Sequence, residues 1–418
     1  MTSGNELGED AMRTRGILLA GLAALVLTGL LAPAVPAGAH GGQGSPSVGW
    51  SEVNPSAEWA PRAGLKVVSL GDRFYLMGGR TPKAPGASPV PGDSTIWGDV
   101  WTSTNRGRTW SQLVATDTPG HWPARAYFGA VTKDGAMYVL GGQDFQVQAN
   151  PCPPFVPGCP PFVSTSTFFN DVWKSRDGVH WEQLIEHAPW AGRAGLSSVV
   201  LGGDIYVFGG SQNDDSSVVG GPPARIYFND VWKSRDGRNW QKVTDHAPWS
   251  PRAGAATVVK NGYLYLLGGE EGFTCSPLPG CTPPYFNDVW RTRDGAHWEL
   301  VTPAAGWSPR PGHACVTASV AIVCFGGFGL LANPNDMWAS IDGAHWWKLR
   351  AAPWNATASD QVKYDFAALS VPDGPFGLAP SIYTFGGDRE TFDFTDPTNY
   401  LRVDNDVWRF GFSWRASG

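Results

Sequence analysis

The sequence has no run of like charges, and this limits the partners to be expected. Its 31 Lys and Arg residues nearly balance its 37 Asp and Glu residues, for a formal net charge of −6. A nucleic-acid-binding surface needs clustered basic residues, so no nucleic-acid partner is predicted. Long helical patterns are missing as well. The 53 Gly and 35 Pro residues are typical of many turns between short strands.

The cysteines lack the Cys-x-x-Cys spacing of a zinc site, and no metal or other cofactor is predicted. The six cysteines instead form three local pairs, which in an exported chain favours disulfides. The predicted disulfides are Cys152–Cys159, Cys275–Cys281 and Cys315–Cys324. The first two pairs lie in Pro-rich loops. The third flanks a predicted hairpin and could join its two strands.

The N-terminal residues carry the pattern of an export signal. An apolar stretch over 16–39 follows two arginines and ends in the small residues Ala37-Gly38-Ala39. This pattern predicts a secretory signal peptide over 1–39. The stretch is also long enough to be an uncleaved membrane anchor. Two prolines in its second half favour cleavage, which would give a secreted or cell-surface protein without a membrane span.

A ten-residue segment recurs along the chain. The segment from Phe169 to Gly178 is repeated without change from Phe228 to Gly237, and with small edits from Phe286 to Gly295. Three weaker copies begin at Asp99, Asn335 and Asn405. Six copies make the chain a repeat array, whose units share one continuous core.

Each repeat has four parts at a regular spacing. A Trp three residues before an Arg leads into a β-type run, and a turn leads to a second run that ends in Gly-Gly. A variable loop, the Asp-Val-Trp segment, a tight turn and a last Trp follow. In five repeats the first Trp and the first Gly are 19 residues apart: Trp59 and Gly78, Trp122 and Gly141, Trp190 and Gly209, Trp249 and Gly268, Trp307 and Gly326. Four short strands in each of six repeats predict an all-β, six-bladed β-propeller with four antiparallel strands per blade.

The motifs resemble kelch repeats. The paired glycines, the Tyr before them and the later Trp carry this resemblance over residues 50–410. It implies a closed propeller in which the first strand of each blade is innermost. The tight turns, such as Ser175 to Trp181, resemble the Asp-box of sialidases and other propellers. That resemblance implies a structural hairpin remote from any active site.

Spacing also predicts how the ring closes. The last Trp of a repeat precedes the first Trp of the next by nine residues in three repeats, and Trp50 precedes Trp59 by nine. The residues around Trp50 are therefore predicted to supply the fourth strand of the sixth blade. A C-terminal strand with Trp414 is the alternative. The predicted organisation is a signal peptide over 1–39, a flexible lead-in over 40–49 and the propeller over 50–414.

The alternation of antiparallel strands predicts which face carries function. The Trp-x-x-Arg segments and the variable loops share one face, at the mouth of the central channel. Long loops on a rigid scaffold are where binding normally lies. In the sixth repeat, an alignment places Asp365 at the Arg position. The candidate ligand-binding residues are Arg62, Arg125, Arg193, Arg252, Arg310, Tyr364, Asp365, Glu270, Asp388 and Glu390.

The five arginines allow two interpretations. In the favoured one, each Arg pairs with the Asp that opens the third strand, because structural ion pairs often imitate functional sites. The Asp residues are Asp99, Asp171, Asp230, Asp288 and Asp336. In the other, Arg62 and Arg310 bind an anionic group, since they flank a sixth blade made unequal by Asp365.

The kelch resemblance implies a binding module that recognises a glycan or a protein through this face. The expected partner at the channel mouth is a glycan, an anionic small molecule or a protein, and the chain is expected to be a monomer. The alternative is a carbohydrate-active enzyme. Kelch-type sialic acid mutarotases are exported six-bladed propellers of this size, and an Arg-lined mouth would suit a carboxylated sugar. Sialidases fit the kelch glycines poorly, and a copper enzyme of the galactose oxidase type would need a Cys without a local partner. The sequence assigns no catalytic residue.

Overall fold

A computed structural model describes most of the chain after residue 45. The described residues are 46–84, 86–88, 93–150, 162–212, 226–272, 284–329, 332–372, 380–391, 395–396 and 398–414. The predicted signal peptide and the pairs Cys152–Cys159 and Cys275–Cys281 lie outside them. Short 3-10 helices occupy Pro353–Asn355, Ser359–Gln361 and Asn399–Leu401. In this part of the chain, no helix is long and apolar enough to cross a membrane.

The strands form six four-stranded antiparallel sheets, which are the blades of a propeller. Blade 6 takes its outer strand from the N-terminal side, β1 (Pro46–Asn54). Blade 1 contains β2 (Lys66–Leu70), β3 (Arg73–Pro82), β4 (Ser94–Ser103) and β5 (Ser111–Val114). Blade 2 contains β6 (Gly129–Lys133), β7 (Ala136–Gln143), β10 (Phe168–Ser175) and β11 (Glu182–Ile185), and its loop carries the ribbon β8 (Val147–Ala149) and β9 (Phe162–Ser164).

The other blades repeat this order. Blade 3 contains β12 (Ser197–Leu201), β13 (Asp204–Phe208), β16 (Val231–Ser234) and β17 (Trp240–Thr244), with the ribbon β14 (Ser211–Gln212) and β15 (Ile226–Tyr227). Blade 4 contains β18 (Ala256–Lys260), β19 (Tyr263–Glu270), β20 (Tyr285–Thr292) and β21 (Trp298–Thr302). Blade 5 contains β22 (Ala314–Ala318), β23 (Ala321–Phe325), β24 (Met337–Ser340) and β25 (Trp347–Lys348). Blade 6 contains β26 (Ala367–Pro372), β27 (Pro380–Asp388), β28 (Val403–Trp414) and β1.

The first strand of every blade is innermost. The strands β2, β6, β12, β18, β22 and β26 contact one another in a closed ring. The second strands are covered by neighbouring blades on both faces, so their sequences are continuously apolar instead of alternating; every residue of Ala136–Gln143 is buried. The core is divided into clusters between adjacent blades, such as Trp59, Leu65 and Phe74 of blade 1 against Phe385 and Val407 of blade 6.

The predicted closure through the N-terminal strand is confirmed. The strand β1 pairs antiparallel with β28, and Trp50 lies opposite Phe410. Trp50 is buried against Trp354 and Phe410, so it takes the place of the last Trp of the other repeats. The strand begins at Pro46, inside the segment 40–49 predicted as a flexible lead-in, because β28 continues to Trp414 and offers a longer edge to pair with.

Two predicted local features are present. Cys315 and Cys324 lie directly opposite each other on β22 and β23 and form a disulfide. In the tight turn of blade 2, Asp177 Oδ1 accepts the backbone N–H groups of Val179 and His180 at 2.9 and 2.8 Å. Gly178 has a φ of 78° in this turn. The Asp residues of these turns are therefore structural, as the Asp-box resemblance implied.

Candidate functional site

The five arginines of the Trp-x-x-Arg segments are buried and paired. Each one donates to the Asp that lies two residues before the Trp of the third strand in its own blade, and to the carbonyl of the first Gly of the Gly-Gly pair. The pairs are Arg62–Asp99, Arg125–Asp171, Arg193–Asp230, Arg252–Asp288 and Arg310–Asp336, at 2.6, 2.6, 2.6, 2.6 and 2.7 Å. Arg310 illustrates the arrangement: its three guanidinium nitrogens contact Ser308, Gly326 and Asp336. These contacts fit the scaffold interpretation, and we assign no ligand contact to the five side chains.

The alignment that placed Asp365 at the Arg position is wrong by two residues. Tyr364 bridges to Asp388, just as Ala194 bridges to Ser211, so the residue equivalent to Arg193 is Lys363. Lys363 is buried and pairs with Asp404 at 3.2 Å and with Asp406. The insertion in the sixth repeat hid this equivalence, because the Trp is nine residues before Lys363 instead of three. The ring of cations therefore has six members.

The residues two positions after these cations form a backbone belt around the channel mouth. Each donates its N–H to the carbonyl of the preceding blade, and the sixth closes on the first. The six bonds are Gly64 to Asp365, Tyr127 to Gly64, Gly195 to Tyr127, Gly254 to Gly195, Gly312 to Gly254 and Asp365 to Gly312, at 2.9, 2.9, 2.8, 3.1, 3.0 and 2.9 Å. All six residues have a φ between 50° and 64°, the left-handed region that favours glycine.

Tyr127 and Asp365 are the two belt members that carry side chains. The ring of Tyr127 reaches over Gly64, where an added Cβ would lie 3.0 Å from it. Asp365 reaches over Gly312 in the same way, with Oδ1 at 2.7 Å from such an atom. A left-handed non-glycine residue is strained, and such residues concentrate at functional sites. The belt therefore carries side chains only at blades 6 and 2, which lie on either side of blade 1.

The residues that follow the Gly-Gly pairs stand beside the belt and differ in every blade. They are Arg80, Gln143, Ser211, Glu270, Phe328 and Asp388. Arg80 connects three of the blades: its Nε donates to Tyr127 Oη at 2.6 Å and an Nη to Asp388 Oδ2 at 3.1 Å. Asp388 is fully buried and accepts the Glu390 N–H at 2.8 Å. Burial raises the pKa of Asp388, although Arg80 opposes the shift.

Glu390 is the titratable group best placed for acid–base work. Burial raises its pKa to about 7, and Asp388 adds to the rise while Arg80 opposes it. Its backbone is fixed from both sides, because its carbonyl accepts Asn333 Nδ2 at 3.2 Å and its N–H donates to Asp388. Asn333 is itself buried, and its Nδ2 also donates a hydrogen bond to the Val362 carbonyl at 3.1 Å. Glu390 is therefore a partly buried carboxyl that titrates near neutral pH on a fixed backbone.

An aromatic wall continues the mouth toward blade 4. Tyr364, buried in blade 6, contacts Phe328 of blade 5 with ring centroids 5.1 Å apart. Phe328 contacts Tyr285 of blade 4 at 6.1 Å. Burial, with Asp388 and Glu390 nearby, raises the pKa of Tyr364, so its hydroxyl stays protonated and can act as a donor. Glu270 of blade 4 is buried, with Oε1 near the belt at Gly254.

The candidate residues of blade 6 thus come together, whereas the five arginines do not join them. Tyr364, Asp365, Asp388 and Glu390 surround one corner of the mouth. Sequence reasoning missed Arg80, Tyr127 and Phe328. Arg80 follows a Gly-Gly pair and Tyr127 occupies a position held by Gly in four other repeats, so comparing the repeats column by column would have found both. Within the described residues, no group of three His, Cys, Asp or Glu side chains could hold a metal ion.

The fold defines the class of this chain, a six-bladed β-propeller, and its paired glycines and later Trp are consistent with kelch repeats. It is 25% identical to "N-acetylneuraminate epimerase 2" of Escherichia coli O6:H1 (strain CFT073) over 255 residues, which are 53% of this chain and 63% of that protein. It is also 25% identical to "N-acetylneuraminate epimerase" of Pasteurella multocida (strain Pm70) over 247 residues, 50% of this chain and 60% of that one. The chain therefore spans less than two thirds of these relatives.

A solved structure shares the fold. The chain titled "Structure of YjhT" superposes with a TM-score of 0.53 and 20% identity, over 80% of this chain and 93% of that one. No family model matches the sequence. The likeness to this structure concerns the overall fold alone.

Proposed function

We propose that the channel mouth binds an acidic sugar related to N-acetylneuraminate and interconverts its cyclic forms by acid–base catalysis. The main support for this proposal is the position of Glu390. This partly buried carboxyl lies beside the Arg80–Asp388 pair and has a pKa raised to about 7. A general acid or base works best when its pKa lies near the working pH. The names of the similar E. coli and P. multocida proteins support the sugar and the reaction.

The proposed step opens and recloses the sugar ring. Glu390 donates its proton to the ring oxygen while Asp365 accepts the proton of the anomeric hydroxyl, so the ring C–O bond breaks and a carbonyl forms. Rotation about the adjacent bond and reversal of both proton transfers give the other anomer, and no atom or electron is gained or lost. Arg80, whose side chain keeps 15% of its surface exposed, would orient the sugar's carboxylate. The aromatic wall of Tyr364, Phe328 and Tyr285 would pack against the sugar ring.

A binding role without catalysis is the second candidate. The observation that favours it is the extra ribbons, β8–β9 and β14–β15, in the loops of blades 2 and 3 on the mouth face. Such loops enlarge a recognition surface for a glycan or a protein. Export is also proposed, with the Cys315–Cys324 disulfide in support, because structural disulfides persist in oxidising compartments.

Glu390→Gln should abolish the acceleration of anomer exchange. Loss of a general acid typically costs about 10²- to 10⁴-fold in rate, and Gln keeps the shape of the side chain. Exchange of N-acetylneuraminate anomers is measured by NMR against buffer alone. Glu271→Gln is the matched control, because Glu271 is an exposed neighbour of Glu270 on the same face. Wild-type protein that binds the sugar without accelerating exchange would favour the binding role; equal rates for wild type and Glu390→Gln would exclude Glu390.

The pH dependence should follow the titration of Glu390. A carboxyl whose folded pKa is raised to about 7 binds more protons in the folded state than in the unfolded state between roughly pH 4.5 and 7. Stability therefore falls as pH rises through that window, and the acid form is lost above pH 7. We expect the catalysed rate to fall above pH 7. Glu390→Gln should melt above the wild type at pH 8 and close to it at pH 4.5, in thermal scans at both pH values. A variant that melts below the wild type at pH 8 would contradict the raised pKa.

A further inference from the structure

Blade 6 lacks an aromatic residue that covers the buried arginine in four other blades. In blades 1 to 4 this residue lies two positions before the paired Asp, and its ring lies against the guanidinium. The pairs are Arg62 with Trp97, Arg125 with Phe169, Arg193 with Phe228 and Arg252 with Phe286, with the guanidinium carbon 4.7, 4.1, 4.0 and 4.0 Å from the ring centroid. Each of these blades thus holds its cation between a carboxylate and a ring.

Asp404 takes the place of that aromatic residue in blade 6. Its carbonyl accepts the Arg62 N–H at 3.0 Å, just as the Phe169 carbonyl accepts the Arg193 N–H at 3.1 Å. Its place in the strand ladder agrees, because it lies opposite the second Gly of the Gly-Gly pair, as the aromatic residue of blade 2 does. Blade 6 therefore departs from the common pattern at two contacting positions, with Lys363 for the arginine and a carboxylate for the ring.

The Asp404 carboxylate connects the sixth cation to Arg389. It pairs with Lys363 at 3.2 Å and accepts Arg389 Nε and Nη2 at 2.8 and 3.0 Å. Lys363 also pairs with Asp406, the paired Asp of this blade, so it has a second carboxylate of its own. Two-point contacts between Arg and a carboxylate fix geometry as well as charge. The residues at the position of Arg389 in the other blades are not cations; they are Thr81, Asp144, Gln212, Glu271 and Gly329.

Arg389 stands between the two carboxyl residues of the mouth, Asp388 and Glu390. The strand β27 ends at Asp388, so the residues after it depend on contacts outside the regular ladder. The Arg389 backbone N–H donates to the Arg402 carbonyl at 2.8 Å, and its guanidinium is held by Asp404. Displacing a catalytic group by about 1 Å can cost on the order of 100-fold in rate, so these contacts bear on the chemistry.

We propose that Asp404 and Arg389 are positioning residues, which hold the chain at Glu390 so that its carboxyl stays at the channel mouth. Neither residue is proposed to touch the sugar. The inference rests on the proposed function, because Glu390 is the acid of that reaction. In the other blades the carboxylate and ring around the cation serve that blade alone, whereas in blade 6 the carboxylate that replaces the ring also anchors the segment with the acid.

The variant Arg389→Met, in the full chain, removes the two-point contact and leaves the ion pairs of Lys363 in place. We expect kcat for exchange of N-acetylneuraminate anomers to fall at least about tenfold, with KM nearly unchanged, because the acid is displaced while the sugar still binds. Burial, Asp388 and Arg80 set the pKa of Glu390, so loss of the Arg389 charge by itself should not move that pKa. A displaced carboxyl gains water, which lowers its pKa, so the rate should begin to fall below pH 7.

Arg291→Met is the matched control. It removes a two-point contact to Glu299, at 2.8 and 2.9 Å, from a side chain of similar exposure, 25% against 31% for Arg389. It should keep the kcat and the pH profile of the wild type. The double variant Lys363→Arg with Asp404→Phe gives blade 6 the cation and ring of blades 2, 3 and 4, so it should fold and lose rate as Arg389→Met does. Arg389→Met decides alone if the double variant does not fold.

Hydrogen exchange gives a measurement that needs no sugar. The backbone N–H groups of Glu390 and Thr391 donate to Asp388 Oδ1 and Asn399 Oδ1, both at 2.8 Å. In Arg389→Met they should exchange at least about tenfold faster, while the N–H groups of β27 keep their rates, because only the segment after the strand is released. Mass spectrometry of the peptides that cover the two segments measures both rates.

Two results would overturn the proposal. One is equal hydrogen exchange at Glu390 and Thr391 in Arg389→Met and the wild type. The other is an Arg389→Met protein that melts lower but keeps the kcat and pH profile of the wild type, which would make the ion pair purely structural. If the wild type does not accelerate anomer exchange, the proposed function fails, and hydrogen exchange alone decides whether Arg389 holds this segment.

Discussion

A chain that begins after Asn54 should lose at least about 5 kcal/mol of unfolding free energy relative to one that begins at Pro46. The deletion removes β1 and with it Trp50, which is 7% exposed and has ring centroids 5.5 Å from Phe325 and 5.3 Å from Phe410. Loss of a buried Trp side chain costs about 3–5 kcal/mol by itself. The deletion also removes the backbone hydrogen bonds between β1 and β28. The exposed edge of β28 could then pair with another chain and promote aggregation. Urea unfolding followed by circular dichroism measures the difference.

The point variant Trp50→Ala separates the two contributions. It keeps the ladder and removes the side chain, so its loss should be smaller than that of the deletion and near the cost of the Trp alone. The chain beginning at Pro46 should match the chain with the complete N-terminal segment. Equal stability of the chains beginning at Pro46 and after Asn54 would show that blade 6 holds together with three strands.

Arg310→Leu should lower the unfolding free energy by about 3–5 kcal/mol, because it leaves the carboxylate of Asp336 partly buried without its cation. The hypothesis that Arg310 binds a ligand makes the opposite prediction, loss of the ligand with little change in stability. Replacing both partners, as Arg310→Leu with Asp336→Leu, should restore part of the loss, since apolar pairs often replace buried ion pairs at little cost. Chemical unfolding of the wild type, the Arg310→Leu variant and the double variant measures the three unfolding free energies.

The control for this comparison is an exposed pair. Arg291 and Glu299 lie 2.8 Å apart on the outer strands of blade 4, and Glu299 keeps 59% of its side chain exposed. Arg291→Ala should cost less than about 1 kcal/mol, as surface pairs do. A stable Arg310→Leu protein that no longer exchanges anomers would return the arginine ring to the list of functional groups.

The periodic part of the fold could be predicted because it is repeated. The 19-residue spacing from Trp to Gly fixes strand order in five blades, and the nine-residue spacing of Trp50 and Trp59 identified the clasp, which the structure confirms. The pairing of Arg62 with Asp99 followed from their places on one face, and the structure has that pair as well. The regular spacing of the repeats therefore allows both the strand order and the ion pairs within each blade to be predicted from the sequence.

The equivalent positions of blade 6 could not be predicted from spacing in the same way. Its insertion falls partly before Lys363 and partly after β26, and spacing alone does not divide it between the two places. The alignment therefore placed Asp365, instead of Lys363, at the position of the arginines. Asp365 is nevertheless a residue whose side chain reaches over the belt at the channel mouth. The network of Arg80, Tyr127 and Asp388 joins residues up to 308 positions apart. Such contacts depend on how the blades close on one another, which no single repeat contains.

The backbone belt also limits how the mouth can be altered. Every position in it is left-handed, so any side chain introduced there costs on the order of 1 kcal/mol before it makes a contact. In a repeat with an intact Trp-x-x-Arg segment, that position is the second residue after the Arg, and it is Gly in four of the five such repeats here. Scanning other propellers with this segment for a residue other than Gly at that position would show which of their blades break the symmetry of the mouth. In this chain the scan finds Tyr127 immediately, and Asp365 once Lys363 is recognised as the sixth cation.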